Sequence, residues 1–336
     1  SPKIEHTCSF DIFDTLLART ITPPAAVFYQ VGRRASASLP GNCSPSQFAH
    51  LRIQAEKQAT VWKGPSTTLK DIYSELQGSL QLSDSQTSSL RNLEIRVEEE
   101  VLYPVPVTTR EIERYRKNGA SIVFTSDMYL PSDVIRNWLK KHDIWRPGDR
   151  LFVSCEYGMT KHDGRLFRPV KRECEDGKTL VHFGNSADAD VEGAEAAGIT
   201  PRHVTKANPN RYEQILEGFA EETIGVSAEL AGVSRYARLH TSAESRHEKA
   251  LRDVAAGVMA PLLVGFVTWL LRCSREQDLD RLYFTSRDGY HLLPFARGLR
   301  SVVGVNCDVE YLHLSRAALA AASMDPEKVE SSWSNY

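Results

Sequence analysis

The chain carries its apolar residues in two rhythms that exchange along its length. Residues 6–13 read as a buried strand running into Asp14 and Thr15. From Pro23 to about Leu102 the apolar positions recur at three- and four-residue steps, which predicts helices over residues 25–34, 45–61, 69–76 and 83–102. Polar loops with Gly, Pro or Ser separate them, and Thr68 and Ser83 stand where helix caps belong. Past residue 103 the pattern changes. Helices over 108–117, 131–142, 167–175 and 187–197 now alternate with strands over 121–125, 150–154, 179–183 and 199–204. Such alternation predicts an α/β fold, a Rossmann-like parallel sheet with helices on both faces and a helical insertion after its first strand.

A second α/β unit is expected further on, with a helix over 243–272, strands over 281–285 and 309–314, and a helix after Gly289. The expected division is a core from 1–20 and 103–207, a helical insertion over 21–102, a helical linker over 208–240, and the second unit over 241–336. The chain opens on Ser-Pro without Met and stops soon after a strand and a helix start, as expected of a piece whose second unit continues further. The longest apolar stretch, residues 254–271, is interrupted by Gly257, Pro261 and Gly265. A buried helix is therefore expected there, with Phe266 and Trp269 in the core, rather than a membrane span.

Composition narrows the picture. A length of 336 residues suits two domains, and 41% hydrophobic with 25% charged residues is the balance of a soluble globular protein. A net charge of -2, from 41 basic and 43 acidic residues, offers no global field toward nucleic acid or an anionic membrane. It leaves room for a local basic pocket that takes a phosphorylated small molecule. The six cysteines form no C-x-x-C pair or zinc-ligand spacing, so reduced thiols are expected, with Cys8 in the core.

In a parallel sheet ligands bind beyond the carboxyl ends of the strands. Those ends carry Asp11, Asp14 and Thr15 after the first strand, then Thr125, Ser126 and Asp127. Lys161 with His162 and Asp163 follows the third, and Asn185, Ser186, Asp188 and Asp190 the fourth. Together they suit phosphoryl transfer: a carboxylate attacks phosphorus, a hydroxyl holds phosphate oxygens, an ammonium offsets their charge, and an acidic corner holds Mg²⁺. Blander roles stand beside each: Asp14 as a turn residue, Ser126 and Asp127 as a helix cap, Asp188 and Asp190 as acids at a helix start.

The strings FDIFDTLLAR, VFTSDMYLP, GMTKHDGRLF and HFGNSADADVEGAEAAGI resemble, in order, motifs I to IV of the haloacid dehalogenase (HAD) superfamily, over roughly residues 6–205. The helical insertion is similar to that family's C1 cap. The later YFTSRDGYHLLPFAR and YLHLSRAAL resemble a bacterial subfamily associated with polysaccharide and surface-glycan biosynthesis, which implies a cytoplasmic protein. The resemblance implies Asp11 as nucleophile and Mg²⁺ ligand, the Phe13 carbonyl as a further ligand, Ser126 and Asp127 at the phosphate, Lys161 as the stabilising ammonium, and Asn185 and Asp190 as the motif IV metal ligands. Two positions depart from the pattern. Phe13 replaces the acid/base aspartate, and Asn185 replaces the first motif IV acid.

Three functions remain open at this point. One is a Mg²⁺-dependent phosphatase or phosphotransferase acting on a small phosphorylated metabolite, such as a sugar or nucleotide-sugar intermediate. The second is a degenerate module that binds a ligand or partner. The third is metal-free dehalogenation of 2-haloacids. In the second unit, Arg287, Asp288 and Gly289 form either a tight turn or a phosphate or sugar site, with Arg316 along the same edge.

Overall fold

A computed structural model describes residues 6–173, 179–314 and 319. The chain divides into two compact units, Ser1–Gly257 and Val258–Tyr336. In the first, β1 (His6–Asp11) and β2 (Leu17–Arg19) precede four helices, α1 (Val27–Ala35), α2 (Pro45–Lys63), α3 (Leu69–Leu80) and α4 (Asp84–Val101). The chain continues through β3 (Leu102–Pro104), α5 (Pro106–Lys117), β4 (Ser121–Ser126), α6 (Ser132–Lys141), β5 (Arg150–Val153), α7 (Ser154–Tyr157) and α8 (Phe167–Glu173). It ends with β6 (Thr179–Gly184), α9 (Gly193–Ala196), β7 (Thr200–His203), α10 (Arg211–Glu217), α11 (Val226–His240) and α12 (Arg246–Val254).

Five strands form the parallel α/β sheet in the order β5-β4-β1-β6-β7. β1 is central because its residues are buried on both faces: Cys8 and Phe10 on one, Thr7 and Ser9 on the other. Phe10 stacks on Phe183 of the neighbouring β6, ring centroids 4.6 Å apart. The strand order reverses its direction of growth at β1, so the carboxyl ends of β1, β4 and β6 frame the crevice where such sheets bind ligands.

Three of the four helices of the insertion, α2, α3 and α4, begin at a side-chain cap. Ser44, Thr68 and Ser83 each close a capping box, with Gln47, Asp71 and Gln86 respectively. Their core holds a charge: Arg52 is fully buried and donates from Nε and Nη2 to both oxygens of Glu94, at 2.8 and 2.7 Å. The Tyr73 hydroxyl adds a bond to Glu94 at 2.8 Å, and the guanidinium lies over Phe28 at 4.4 Å. The insertion leaves and rejoins the core through an antiparallel ladder, β2 on β3, with Ala18 opposite Tyr103. Strands of three residues are too short to show a period, and the pattern gave no sign of them. The expected helix over 187–197 opens as a π-helical turn, Ala187–Glu192.

The second unit comprises α13 (Ala260–Glu276), β8 (Arg281–Thr285), α14 (Ser286–Val303) and β9 (Asp308–Leu312), with β8 parallel to β9. Its start corrects the sequence expectation. Residues 241–257, α12 included, belong with the first unit, and the division falls in the π-helical turn Ala255–Met259. The expected buried helix is also corrected. Val267, Leu271 and Ser274 form a buried stripe, but Leu262, Phe266 and Trp269 are 63%, 42% and 58% exposed. Apolar content alone does not say how many neighbours a helix will find. Among the described residues, Arg246–Glu276 is long and apolar enough to cross a membrane by length and composition. The five described cysteines are free thiols.

Candidate active site

β1 delivers Asp11 to the carboxyl edge of the sheet, and the chain turns at once. The amides of Leu16 and Leu17 bond the Ile12 carbonyl, and Asp14 takes a left-handed φ of 56° with its amide on the Leu17 carbonyl at 2.7 Å. Aspartate is one of the few residues that tolerate that conformation. The turn aims Thr15 back at the strand end, where its hydroxyl donates to Asp11 Oδ2 at 2.8 Å.

Lys161 comes from the loop between α7 and α8. Its buried ammonium donates to Asp11 Oδ1 and to Asp190 Oδ1, each at 2.5 Å. Asp127 secures that loop by accepting the Lys161 amide at 2.9 Å on both carboxylate oxygens. Two glycines let the parts close together. A Cβ on Gly184 would overlap the Asp190 side chain, and one on Gly193 would overlap the Lys161 carbonyl.

Asp190 is held from every side. His182 Nε2 lies 3.1 Å from Oδ1, and the Ser186 amide donates to Oδ2 at 2.9 Å. Facing a carboxylate, a neutral imidazole carries its proton on Nε2, which leaves Nδ1 to accept from Ser9 Oγ at 3.0 Å. Burial keeps His182 below the usual histidine range despite Asp190. Burial also disfavours charge on Lys161, but Asp11 and Asp190 outweigh it and hold the ammonium above the ordinary lysine range. Burial likewise opposes charge on Asp190, yet Lys161 and His182 bring it below the carboxylate range. Burial dominates at Asp11, which is pushed up to about 7 with Lys161 opposing.

The remaining expected residues divide. Ser126 is buried at the end of β4, one position past Thr125, which is paired in register with Asp11. Asn185 turns its amide nitrogen to Asn208 Oδ1 at 2.9 Å and accepts from Thr15 at 3.3 Å, so its oxygen faces the Asp11 side. The Phe13 ring lies under the Arg19 guanidinium at 4.7 Å and edge-on to Trp138. Asp14 is an ion-pair partner, accepting from buried Arg235 at 2.8 Å. Arg287 and Asp288 lie exposed at the start of α14, in the second unit. There the left-handed turn is made by Ser286, not by Gly289, which is buried close against Phe284. Arg316 lies outside the described residues.

A cleft of about 420 Å³ opens beside this cluster. Phe13, Asp14 and Arg19 line it from the core, Asp127 and Tyr129 from beyond β4, and Phe28, Glu56 and Glu98 from the insertion. Arg19 pairs with Glu98 at 2.8 Å, both buried, joining the stem strand to α4. Sequence reasoning missed His182, Arg19, Asn208 and Arg235. The sequence of β6 gave a signal for His182 alone, a histidine flanked by Leu180, Val181 and Phe183.

No protein-family model matches the sequence, and no curated protein matches it. Among solved structures the chain is similar to a HAD phosphatase from Thermococcus onnurineus, at 19% identity over 61% of this chain and 88% of that one, TM-score 0.43. It is similar to a 2-haloacid dehalogenase from Pseudomonas syringae, at 17% over 61% and 89%, TM-score 0.44. It is also similar to a HAD family enzyme from Bacteroides thetaiotaomicron, an Asp-to-Ala mutant in complex with magnesium and inorganic phosphate, at 12% over 62% and 97%, TM-score 0.41.

Proposed function

We propose that this chain is a HAD-type phosphohydrolase or phosphotransferase that works through an aspartyl-phosphate on Asp11. One observation carries the reading: a single buried ammonium, Lys161, bonds the carboxylates of Asp11 and Asp190 at the carboxyl edge of a parallel sheet. Asp11 attacks phosphorus, the ester P–O bond breaks, and the leaving oxygen departs with its electron pair. Water then cleaves the acyl phosphate, which releases phosphate and restores Asp11. Lys161 offsets charge on the phosphoryl oxygens, and Ser126 bonds them. The insertion acts as the cap, its Phe28, Glu56 and Glu98 facing the leaving group.

The donor set suits Mg²⁺. The groups are all oxygens, and Asn208 turns the Asn185 amide so that its oxygen faces inward. Asp11, Asn185, Asp190 and the Phe13 carbonyl would hold the ion. Mg²⁺, when bound, supplies charge that screens the anionic nucleophile from an anionic phosphate.

Phe13 cannot move a proton, so the substrates are those whose leaving group needs little protonation, such as an acyl phosphate or a sugar 1-phosphate. A sugar or nucleotide-sugar intermediate of bacterial glycan biosynthesis is the proposed class. A panel of such phosphates with Mg²⁺ should release phosphate, and Asp11→Asn should abolish the release. No turnover by the wild-type chain on any member refutes the reading. Phe13 and Asn185 favour a second one, metal-free hydrolysis of 2-haloacids, which chloride release in a chelator would reveal.

A further inference from the structure

The first unit has a second concavity, which does not include the Asp11 cluster. It encloses about 520 Å³ between the start of α5, the loop after β7, the end of α11 and α12. Five cationic side chains line it, Arg110, Lys206, Arg238, Lys249 and Arg252, against one carboxylate, Glu244.

Two of these cations are already committed. Arg238 donates to both oxygens of buried Glu213, at 2.7 and 2.9 Å, and to the carbonyls of Lys206 and Asn208. Arg252 pairs with Asp253 at 2.8 Å. Arg110, Lys206 and Lys249 have no ion pair among the described residues. Three cations without an ion pair, from three separate elements, therefore line one hollow, on a protein whose net charge is -2. All three are exposed, so water screens them from one another and an anion entering the hollow can reach each of them. Concave low-dielectric walls strengthen such a field relative to a flat surface.

We propose that this hollow binds a small phosphorylated polyanion, a ligand with the chemistry of a diphosphate. The three free cations take its oxygens. A hollow of about 520 Å³ has the size of a small-molecule site.

The site is wired to the Asp11 cluster. On α11, Arg238 lines the hollow, while Arg235, one turn earlier, reaches Asp14 at 2.8 Å and the Arg19 carbonyl at 3.0 Å. The loop bearing Lys206 also holds Asn208, which orients Asn185. A ligand that draws Lys206 inward acts on the segment that sets the Asn185 amide.

The test is calorimetry with inorganic diphosphate on the full chain in a chelator, where without metal the Asp11 and Asp190 carboxylates oppose an anion in the other cleft. Wild type should bind saturably, and raised salt should weaken the binding. Lys206→Glu/Lys249→Glu should bind about tenfold or more weakly, from lost charge-assisted contacts and new repulsion. Both lysines are exposed and unpaired, so the variant should melt like wild type. Arg110→Glu, on a different element, should weaken the same titration, whereas Asp11→Asn should leave it intact. Absence of saturable binding by wild type overturns the proposal. So does unchanged affinity in the lysine and Arg110 variants, or loss of binding in Asp11→Asn instead.

Discussion

Removing the ammonium that joins the two carboxylates should convert the centre of the fold into a pH-dependent liability. Lys161 Nζ stands 2.5 Å from an oxygen of Asp11 and 2.5 Å from one of Asp190, so those oxygens are at most about 5 Å apart. At an effective dielectric constant of about 20, two unit charges about 5 Å apart repel by about 3 kcal/mol. That corresponds to about two pK units. Breaking a buried ion pair from one side typically costs about 3–5 kcal/mol. Lys161→Met should therefore lose up to about that much stability where both carboxylates must be charged, with the full loss reached only above the pKa of Asp11 in the variant.

The sign of the pH effect follows from Asp11, already pushed up to about 7 with Lys161 present and higher without it. A carboxyl group whose folded pKa exceeds its unfolded value destabilises the fold only where it must ionise. The part of the loss that comes from Asp190, which Lys161 holds below the carboxylate range, is already present near pH 5; the part from Asp11 is added as pH rises and is complete only above the folded pKa of Asp11 in the variant. Urea unfolding at about pH 5 and about pH 8 measures the difference. Asp11→Asn added to Lys161→Met should recover much of the loss at the higher pH. Equal losses at both pH values, or no recovery in the double variant, would refute the electrostatic account.

Three further outcomes follow from the geometry. Gly184→Ala puts a Cβ into the space of the Asp190 side chain, and activity should fall by about 100-fold, as small misplacements of reacting groups do. Steady-state kinetics at saturating Mg²⁺ checks it, and near-wild-type turnover counts against the packing argument. Asn185→Asp adds a charge beside Asp190 and should tighten Mg²⁺ by roughly tenfold in calorimetry; an unchanged affinity would remove Asn185 from the metal site. Glu94→Ala removes the bidentate partner of the buried Arg52 guanidinium and leaves it Glu56 alone, bonded through Nη1 at 2.9 Å; it should cost about 3 kcal/mol in urea unfolding, whereas a loss below about 1 kcal/mol would show that Glu56 and water satisfy the arginine.

The periods of the chain were enough to determine the five parallel strands, the four helices of the insertion and the caps at Thr68 and Ser83. Those features are local. A two-residue alternation, a three-to-four-residue step and a Ser or Thr before a helix each declare themselves within one window. The ordered strand ends likewise brought Asp11, Lys161 and Asp190 into one expectation, because ligands gather at the carboxyl edge of a parallel sheet. Tertiary structure decided what lies beyond a window. It tied β2 to β3 across the whole insertion, set His182 and Asn208 behind Asp190 and Asn185, and committed Asp14 to Arg235, 221 residues away. It also left Phe266 and Trp269 exposed on a helix apolar enough to read as core. Pairing, burial and charge neutralisation depend on which surfaces meet, and a linear pattern carries no record of that meeting.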